Sequence, residues 1–279
     1  MRQFVFAVFC LASFSGCFGG QSNAVNGQEA DGQGQSNTAE SGFHEPDFRD
    51  DLQRILRDAR LPPELALDLS AAAQEGPSFI LDLLAVLEGD PYLRILVDKA
   101  HALPDGYEPG DLVALSGPSY RTGRNGLLLR QEAADALEEM AAAAGAEGLT
   151  LTVSSTYRSY NYQVEVYARN VREDGQEEAD RVSARPGHSQ HQLGLVVDFG
   201  SISDEFAGTR EGRWLLSNAG RFGWSLSFPD GYEALTGYRW ESWHYRYVGR
   251  DLAHFIDTYF NGIQQYALQF IRAWEEADR

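Results

Sequence analysis

Cysteine is nearly absent from this 279-residue chain: there are two, Cys10 and Cys17, both near the N-terminus. The rest of the chain carries no thiol, as suits the body of an exported protein. Positive charge is scarce too, with 23 Lys and Arg against 41 Asp and Glu and a formal net charge of −18. That balance argues against nucleic acid as a partner, because nucleic acid selects basic surfaces. It argues equally against binding to anionic membranes except through an anchor. The apolar run from Phe4 to Phe14 is too short to span a bilayer as a stable helix. Against these shortages stand 43% hydrophobic and 12% aromatic residues, ample for a core in one large domain or one domain with appendages.

The chain is organised around Ser183 to Gly200, SARPGHSQHQLGLVVDFG. His191 and Asp198 in this stretch are candidate ligands for a hard-to-borderline metal. Seven residues apart, they could share a helix face, but Gly194 and the β-branched pair Val196–Val197 oppose a helix. One regular strand would send them to opposite faces. The reading that satisfies both is a loop carrying His191, a turn at Gly194, and a buried strand Leu195–Phe199 delivering Asp198. A second histidine, His244, follows Glu241 by three residues in WESWHYRYVG, residues 240–249. A regular strand would point that pair opposite ways too, so a bend near Ser242–Trp243 is expected.

One neutral imidazole from each segment, one carboxylate and an open position compose a catalytic zinc site. Glu241 is then free to act as base on the bound water. The ordinary alternatives are a hydrogen-bonded core histidine, an Asp that caps a turn, and a Glu241 that binds metal itself or orients the imidazole.

Taken together the two segments are specific. Ser189-x-His191-x-x-Gly194-x-Val196-x-Asp198 followed by Glu241-x-x-His244 resembles the paired signature of the VanY-type zinc D,D-carboxypeptidases. Val196 replaces the usual small residue, a departure in packing rather than chemistry. Pro186-Gly187-x-Ser189-x-His191-Gln192 and Trp243-His244-x-Arg246-Tyr247-Val248-Gly249 extend the likeness. The resemblance covers roughly Val97 to Gly249. It implies an α+β fold: a small antiparallel sheet with helices on one side and a zinc cleft, preceded here by a helical N-terminal region.

It also implies a role for each matching residue. Zn²⁺ would sit on His191, Asp198 and His244, with Glu241 as general base. Arg158 matches the arginine that stabilises the carbonyl oxygen; on residues alone a surface salt bridge is the simpler account. Gln163 falls where the family often has a glutamine and is a candidate substrate contact. Ser189 is a candidate contact for the substrate carboxylate. The implied substrates are peptidoglycan stem peptides cut at D-Ala–D-Ala. An L,D-carboxypeptidase on the tetrapeptide stem and a non-catalytic wall-binding lipoprotein are the alternatives, and oligomeric state is not legible.

Residues 1–16 read as a signal peptide, with Arg2 ahead of the apolar run. Phe14-Ser15-Gly16-Cys17 resembles a bacterial lipoprotein processing site, although Phe14 stands where Leu is commonest. That likeness implies lipidation at Cys17 and an exported, membrane-anchored lipoprotein of the periplasm or cell envelope, held by the lipid alone. Residues 17–43, rich in Gly, Gln, Ser, Asn and Ala, suit a flexible tether. Residues 44–96 read as helical, from Phe48, Leu52, Ile55 and Leu56 and again from Phe79, Leu83, Leu84 and Leu87.

Residues 97–250 would be the catalytic domain. Its expected parts are an entry strand and loop in Val97–Val113, helices over Leu128–Ala144, Val164–Val171 and Glu211–Arg221, and strands over Leu149–Ser154 and Gly223–Phe228. Gly175–Arg185 reads as a polar loop and Tyr232–Tyr238 as a loop over the cleft. Residues 251–279 read as a C-terminal helix, amphipathic from Leu252 to Trp274 and single or paired.

Overall fold

Helical periodicity, broken by a few residues in the left-handed region, sets the outer elements; alternation sets the inner ones. The computed structural model describes residues 45–277. The expected signal peptide, the expected lipidation site Cys17 and the expected tether to residue 43 lie outside the described residues. Three helices open the described chain: α1 (Glu45–Asp58), α2 (Pro63–Glu75) and α3 (Ser78–Glu88). Pro63 stands at the first position of α2, where its missing N–H is no loss. A 3-10 turn over Pro91–Arg94 leads into an extended linker.

The middle of the chain contains β1 (Leu112–Ala114), β2 (Arg121–Thr122), β3 (Leu128–Arg130), α4 (Gln131–Ala146), β4 (Thr152–Ser155), α5 (Tyr160–Asp174) and α6 (Gln176–Val182). It continues through β5 (Val196–Phe199), α7 (Arg210–Asn218), β6 (Trp224–Leu226), α8 (Glu233–Thr236) and β7 (His244–Tyr247). Two helices, α9 (Arg250–Tyr259) and α10 (Gln264–Ala277), close it.

β1 and β3 form a two-stranded ribbon, and the other five strands form one sheet in the order β2-β4-β5-β7-β6. That sheet is antiparallel except at its edge, where β2 runs parallel to β4. Cross-strand register gives its two faces opposite characters. Val197 pairs with Tyr245 and Trp224 with Tyr247, and these join Val153 and Phe199 in a core with Leu137, Met140 and Ala144 of α4 and Leu215 of α7. Asp198 pairs with His244 and Val196 with Arg246, so the other face carries the ionisable groups. A second core joins α1, α2 and α3 to α9 and α10 through Leu52, Ile55, Leu69, Phe79, Leu83, Phe255, Ile256, Phe260, Phe270 and Ile271.

Several boundaries differ from those the sequence suggests. Leu128–Arg130 is a strand, because it pairs with β1 and Leu128 N–H reaches Thr156 Oγ1; the helix begins only at Gln131. Within Val97–Val113 the strand is confined to the last residues, from Leu112. The acidic segment after Gly175 is the helix α6 rather than a loop. Glu177 and Glu178 occupy its first turn, where the helix dipole favours anions, and Ala179 is its buried contact. Over the cleft, Tyr232–Tyr238 contains the one-turn helix α8, closed by Gly237 at φ +77°. The C-terminal segment is two helices, since Asn261 (φ 54°) and Gly262 (φ 74°) break it.

Candidate metal centre

His191 is carried on a 3-10 turn, Gln190–Leu193, that ends at Gly194 in the left-handed conformation. A β-carbon on Gly194 would meet Leu112 Cδ2 at 2.8 Å, so only glycine turns the chain here. β5 follows at once and delivers Asp198, and β4 beside it is bulged between Val153 and Ser155. His244 starts β7 after a turn at Ser242–Trp243, closed by a bond from its N–H to the Glu241 carbonyl (3.3 Å). The expected bend therefore lies where alternation requires it.

One candidate ligand atom each from His191, Asp198 and His244 lie within 4.8 Å of one another, all three residues being buried. His191 Nε2 stands 3.2 Å from Asp198 Oδ2, and His244 Nδ1 stands 3.3 Å from Asp198 Oδ1. The far nitrogen of each ring is held. His191 Nδ1 donates to the Thr156 carbonyl at 2.7 Å, and His244 Nε2 faces Gln190 Oε1 at 3.4 Å. With its Nδ1 proton outward, the neutral His191 ring turns its Nε2 lone pair toward the carboxylate, while His244 Nδ1 lies within reach of both Asp198 and Glu241. Asp198 Oδ1 is buried with no hydrogen-bond partner. Two imidazole nitrogens and a carboxylate converging in a buried site suit a cation between them. Ligand bonds of about 2.0–2.1 Å in a tetrahedral arrangement put neighbouring ligand atoms at about 3.3 Å, so the donor set fits zinc.

The electrostatics agree. For Asp198, burial opposes ionisation but is outweighed by His191 and His244, so its carboxyl lies well below the usual carboxylate range. Burial pushes His191 down to about 4, only partly offset by Asp198, which keeps that ring neutral. His244 moves up to about 9, because burial is overcome by hydrogen bonding to Asp198 and Glu241. A divalent ion at the same nitrogen would take the place of that proton.

Glu241 Oε2 lies 3.0 Å from His244 Nδ1, and burial raises its carboxyl above the ordinary value. Arg158 donates through Nη1 to Gln163 Oε1 at 2.9 Å and through Nη2 to Ser155 Oγ at 3.4 Å. Ser189, Arg158, Glu241 and the three clustered residues all line one cleft of about 340 Å³, with Phe228 and Tyr238 among its walls. Gln163 is different. It is fully buried, does not line the cleft, and its Nε2 donates to the Ala184 carbonyl at 2.6 Å. As placed, it supports Arg158 and is not positioned to touch substrate, contrary to the expected contact. Among the described residues no helix is long and apolar enough to cross a membrane.

Sequence reasoning passed over His188, which lines the cleft; its place between Gly187 and Ser189 in the motif was the available signal. It also passed over Gln190, behind His244.

Comparison with known proteins gives a consistent set. Residues 126–250 match the family model described as D-alanyl-D-alanine carboxypeptidase, VanY. The chain is 35% identical over 193 residues to YodJ of Bacillus subtilis, an alignment spanning 67% of this chain and 71% of that one. Among solved structures, the LdcB LD-carboxypeptidase is 36% identical with a TM-score of 0.54, over 60% of this chain and 85% of its own. The vancomycin resistance D,D-pentapeptidase VanY in complex with Zn(II) is 30% identical with a TM-score of 0.53, over 67% of this chain and 99% of its own.

Proposed function

This chain belongs to the VanY family of carboxypeptidases, and on that premise we propose that it is a zinc enzyme removing the C-terminal D-alanine from peptidoglycan stem peptides. The observation that carries the reading is the convergence of one nitrogen from each of two imidazole rings on the buried Asp198 carboxylate, with Glu241 and Arg158 on the same cleft. His191, Asp198 and His244 would hold the ion, which when bound polarises the scissile carbonyl and acidifies the attacking water.

The chain's own groups do the rest. Glu241, its carboxyl raised by burial, takes the proton from the attacking water and returns it to the leaving amine. Arg158, fixed by Gln163 and Ser155, faces the oxyanion of the tetrahedral intermediate. Ser189, buried at the cleft wall, hydrogen-bonds the terminal carboxylate and so favours a chain end.

One finding favours a second reading, cleavage of the L,D bond of the tetrapeptide: the LdcB structure shares 36% identity with this chain. Incubating zinc-loaded protein with pentapeptide and tetrapeptide stems, and identifying products by mass spectrometry, decides. Release of D-alanine from the pentapeptide alone supports the first reading; release from the tetrapeptide alone establishes the second.

We infer export as well, because the assembled wall that carries these stem peptides lies outside the cytoplasmic membrane. We assign residues 97–250 to the catalytic domain and Cys17 to lipid attachment. Cys17→Ser should move the protein from the washed membrane fraction to the soluble one. Its persistence on membranes would rule out attachment through that residue.

A further inference from the structure

Two residues outside the matched family segment reach the cleft from behind. Asp98, in the linker after α3, is nine-tenths buried and closes a tight turn. Its Oδ1 accepts from the N–H groups of Ala100 (2.8 Å) and His101 (2.9 Å), and from His101 Nδ1 at 2.7 Å. Its Oδ2 accepts from Gln265 Nε2 at 2.7 Å; Gln265 is itself buried in the first turn of α10. The carboxylate thus serves the turn and one helix, and its backbone carbonyl is left to face the catalytic side. That carbonyl accepts a 2.7 Å hydrogen bond from His188 Nδ1. The neighbouring Lys99 places its ammonium 4.4 Å from the centroid of Tyr238, another cleft-lining ring. One clamped turn therefore braces two side chains of the cleft wall.

His188 is the informative one. Because its Nδ1 proton is committed to a carbonyl, Nε2 of the neutral ring carries the lone pair, and no described residue partners it. The ring lines the cleft beside Ser189, half-buried, three residues before His191. An imidazole fixed in orientation with its free acceptor in a peptide-sized cleft suits a backbone N–H of an extended substrate. We propose that His188 is a substrate-contacting residue that accepts a hydrogen bond from a peptide N–H, and that Asp98 and Gln265 are its positioning residues. This assignment rests on the peptidase reading above only in requiring that a peptide occupies the cleft.

The test compares His188→Asn, which keeps a donor where Nδ1 stands, with His188→Gln, which keeps polar reach toward Nε2. Binding of pentapeptide and tetrapeptide stems is measured by calorimetry in the zinc-loaded Glu241→Gln background, where turnover is silenced. His188→Asn should weaken binding roughly 3- to 10-fold, the factor one neutral hydrogen bond supplies. His188→Gln should recover most of that loss. In the otherwise native protein, KM should rise by the same factor for His188→Asn with little change in kcat, and zinc content should stay stoichiometric. Gln265→Met, which fills the same space without holding Asp98, should give a smaller loss of the same kind.

Equal binding by the parent and His188→Asn overturns the assignment alone, because the retained donor would then be all that matters. A fall in kcat or zinc content with unchanged binding also overturns it, as a disturbance of the neighbouring His191. Failure of the parent to bind either stem peptide overturns the substrate reading, and this assignment with it.

Discussion

The core around the sheet buries His191, Asp198, His244 and Arg246 at 5% exposure or less, whereas the core of α1–α3, α9 and α10 buries rings and aliphatic chains. In the helical core Phe79, Phe255, Phe260 and Phe270 lie in tilted or edge contact at 5.3–6.3 Å between centroids. Around the sheet, by contrast, sit nearly all the buried side-chain polar atoms without a hydrogen-bond partner, among them Asp198 Oδ1, Tyr238 Oη, Ser242 Oγ and Nε and Nη1 of Arg246. Gln269 Oε1 on α10 is the exception among the described residues. Orphaned buried polar groups destabilise a fold, so their gathering around the sheet, with Asp198 and Arg246 on its ionisable face, marks where structure has yielded to chemistry. The helical core carries little of that burden, Gln269 Oε1 alone among the described residues, and is free to supply stability. The two regions should therefore fail differently.

Removing a ligand should break the site and spare the fold. His244→Ala or His191→Ala should abolish both zinc retention and hydrolysis, with the far-ultraviolet dichroism of the native protein. Stoichiometric zinc by elemental analysis in either variant would refute the ligand set. Glu241→Gln should be nearly as damaging to turnover, a fall of roughly 10²–10⁴-fold, with zinc and substrate affinity near native. Glu241 Oε2 is 3.0 Å from His244 Nδ1, so a ligand role has to be distinguished directly. Zinc lost with activity would make Glu241 a ligand, and near-normal turnover would reduce it to a turn cap.

The converse experiment breaks the fold and spares the site. Phe255 is fully buried against Phe79, Phe260 and Phe270. Phe255→Ala should destabilise the protein by about 3–5 kcal/mol, read from denaturant or thermal unfolding. Below the melting range, turnover per bound zinc should stay within about twofold of native. A large loss of turnover in the folded variant would mean that the helical core shapes the cleft as well as supporting it.

The same contrast explains what the sequence could disclose. The candidate metal cluster was legible through its resemblance to the VanY-type signature; spacing alone required only a turn at Gly194 before the Val196–Phe199 strand and a bend between Glu241 and His244. The helical core was legible as helices, from Phe48, Leu52, Ile55 and Leu56, but not as one unit with α9 and α10, because helical period does not name the partner face. Composition misled at α6, where charged residues are the solvated side of a short helix whose buried contact is only Ala179. Leu128–Arg130 read as helix because the pairing with β1 that makes it a strand comes from a segment 16 residues earlier. His188 and Gln163 escaped or misled for one reason. Whether a polar residue touches substrate or braces a neighbour depends on where its second hydrogen-bonding atom goes, and spacing carries no trace of that.

The smallest effect should come at the seam between the two regions. The linker after α3 is stitched both ways: Arg94 Nε bonds Glu275 of α10 at 2.6 Å, and Arg246 Nη2 of β7 bonds the carbonyls of Leu93 and Ile95 at 2.9 and 3.0 Å. Glu275 is a third exposed, and Arg94 has a second acceptor in the Gly89 carbonyl at 2.6 Å, so the guanidinium keeps a partner if the carboxylate is neutralised. Glu275→Gln also keeps a side-chain oxygen able to accept the same bond. The change should therefore destabilise the protein by only about 0.2–1 kcal/mol, and less in high salt, where an exposed ion pair is screened. Zinc content and turnover should not move, because Arg246 still fixes the linker from the sheet side. Two results would sink this account. A destabilisation above about 2 kcal/mol would mean that the pair is far better shielded than its exposure indicates. A fall in turnover at unchanged stability would mean that tension in the linker passes through Arg246 to His244, two residues away on the same face of β7, and that the two regions do not fail independently.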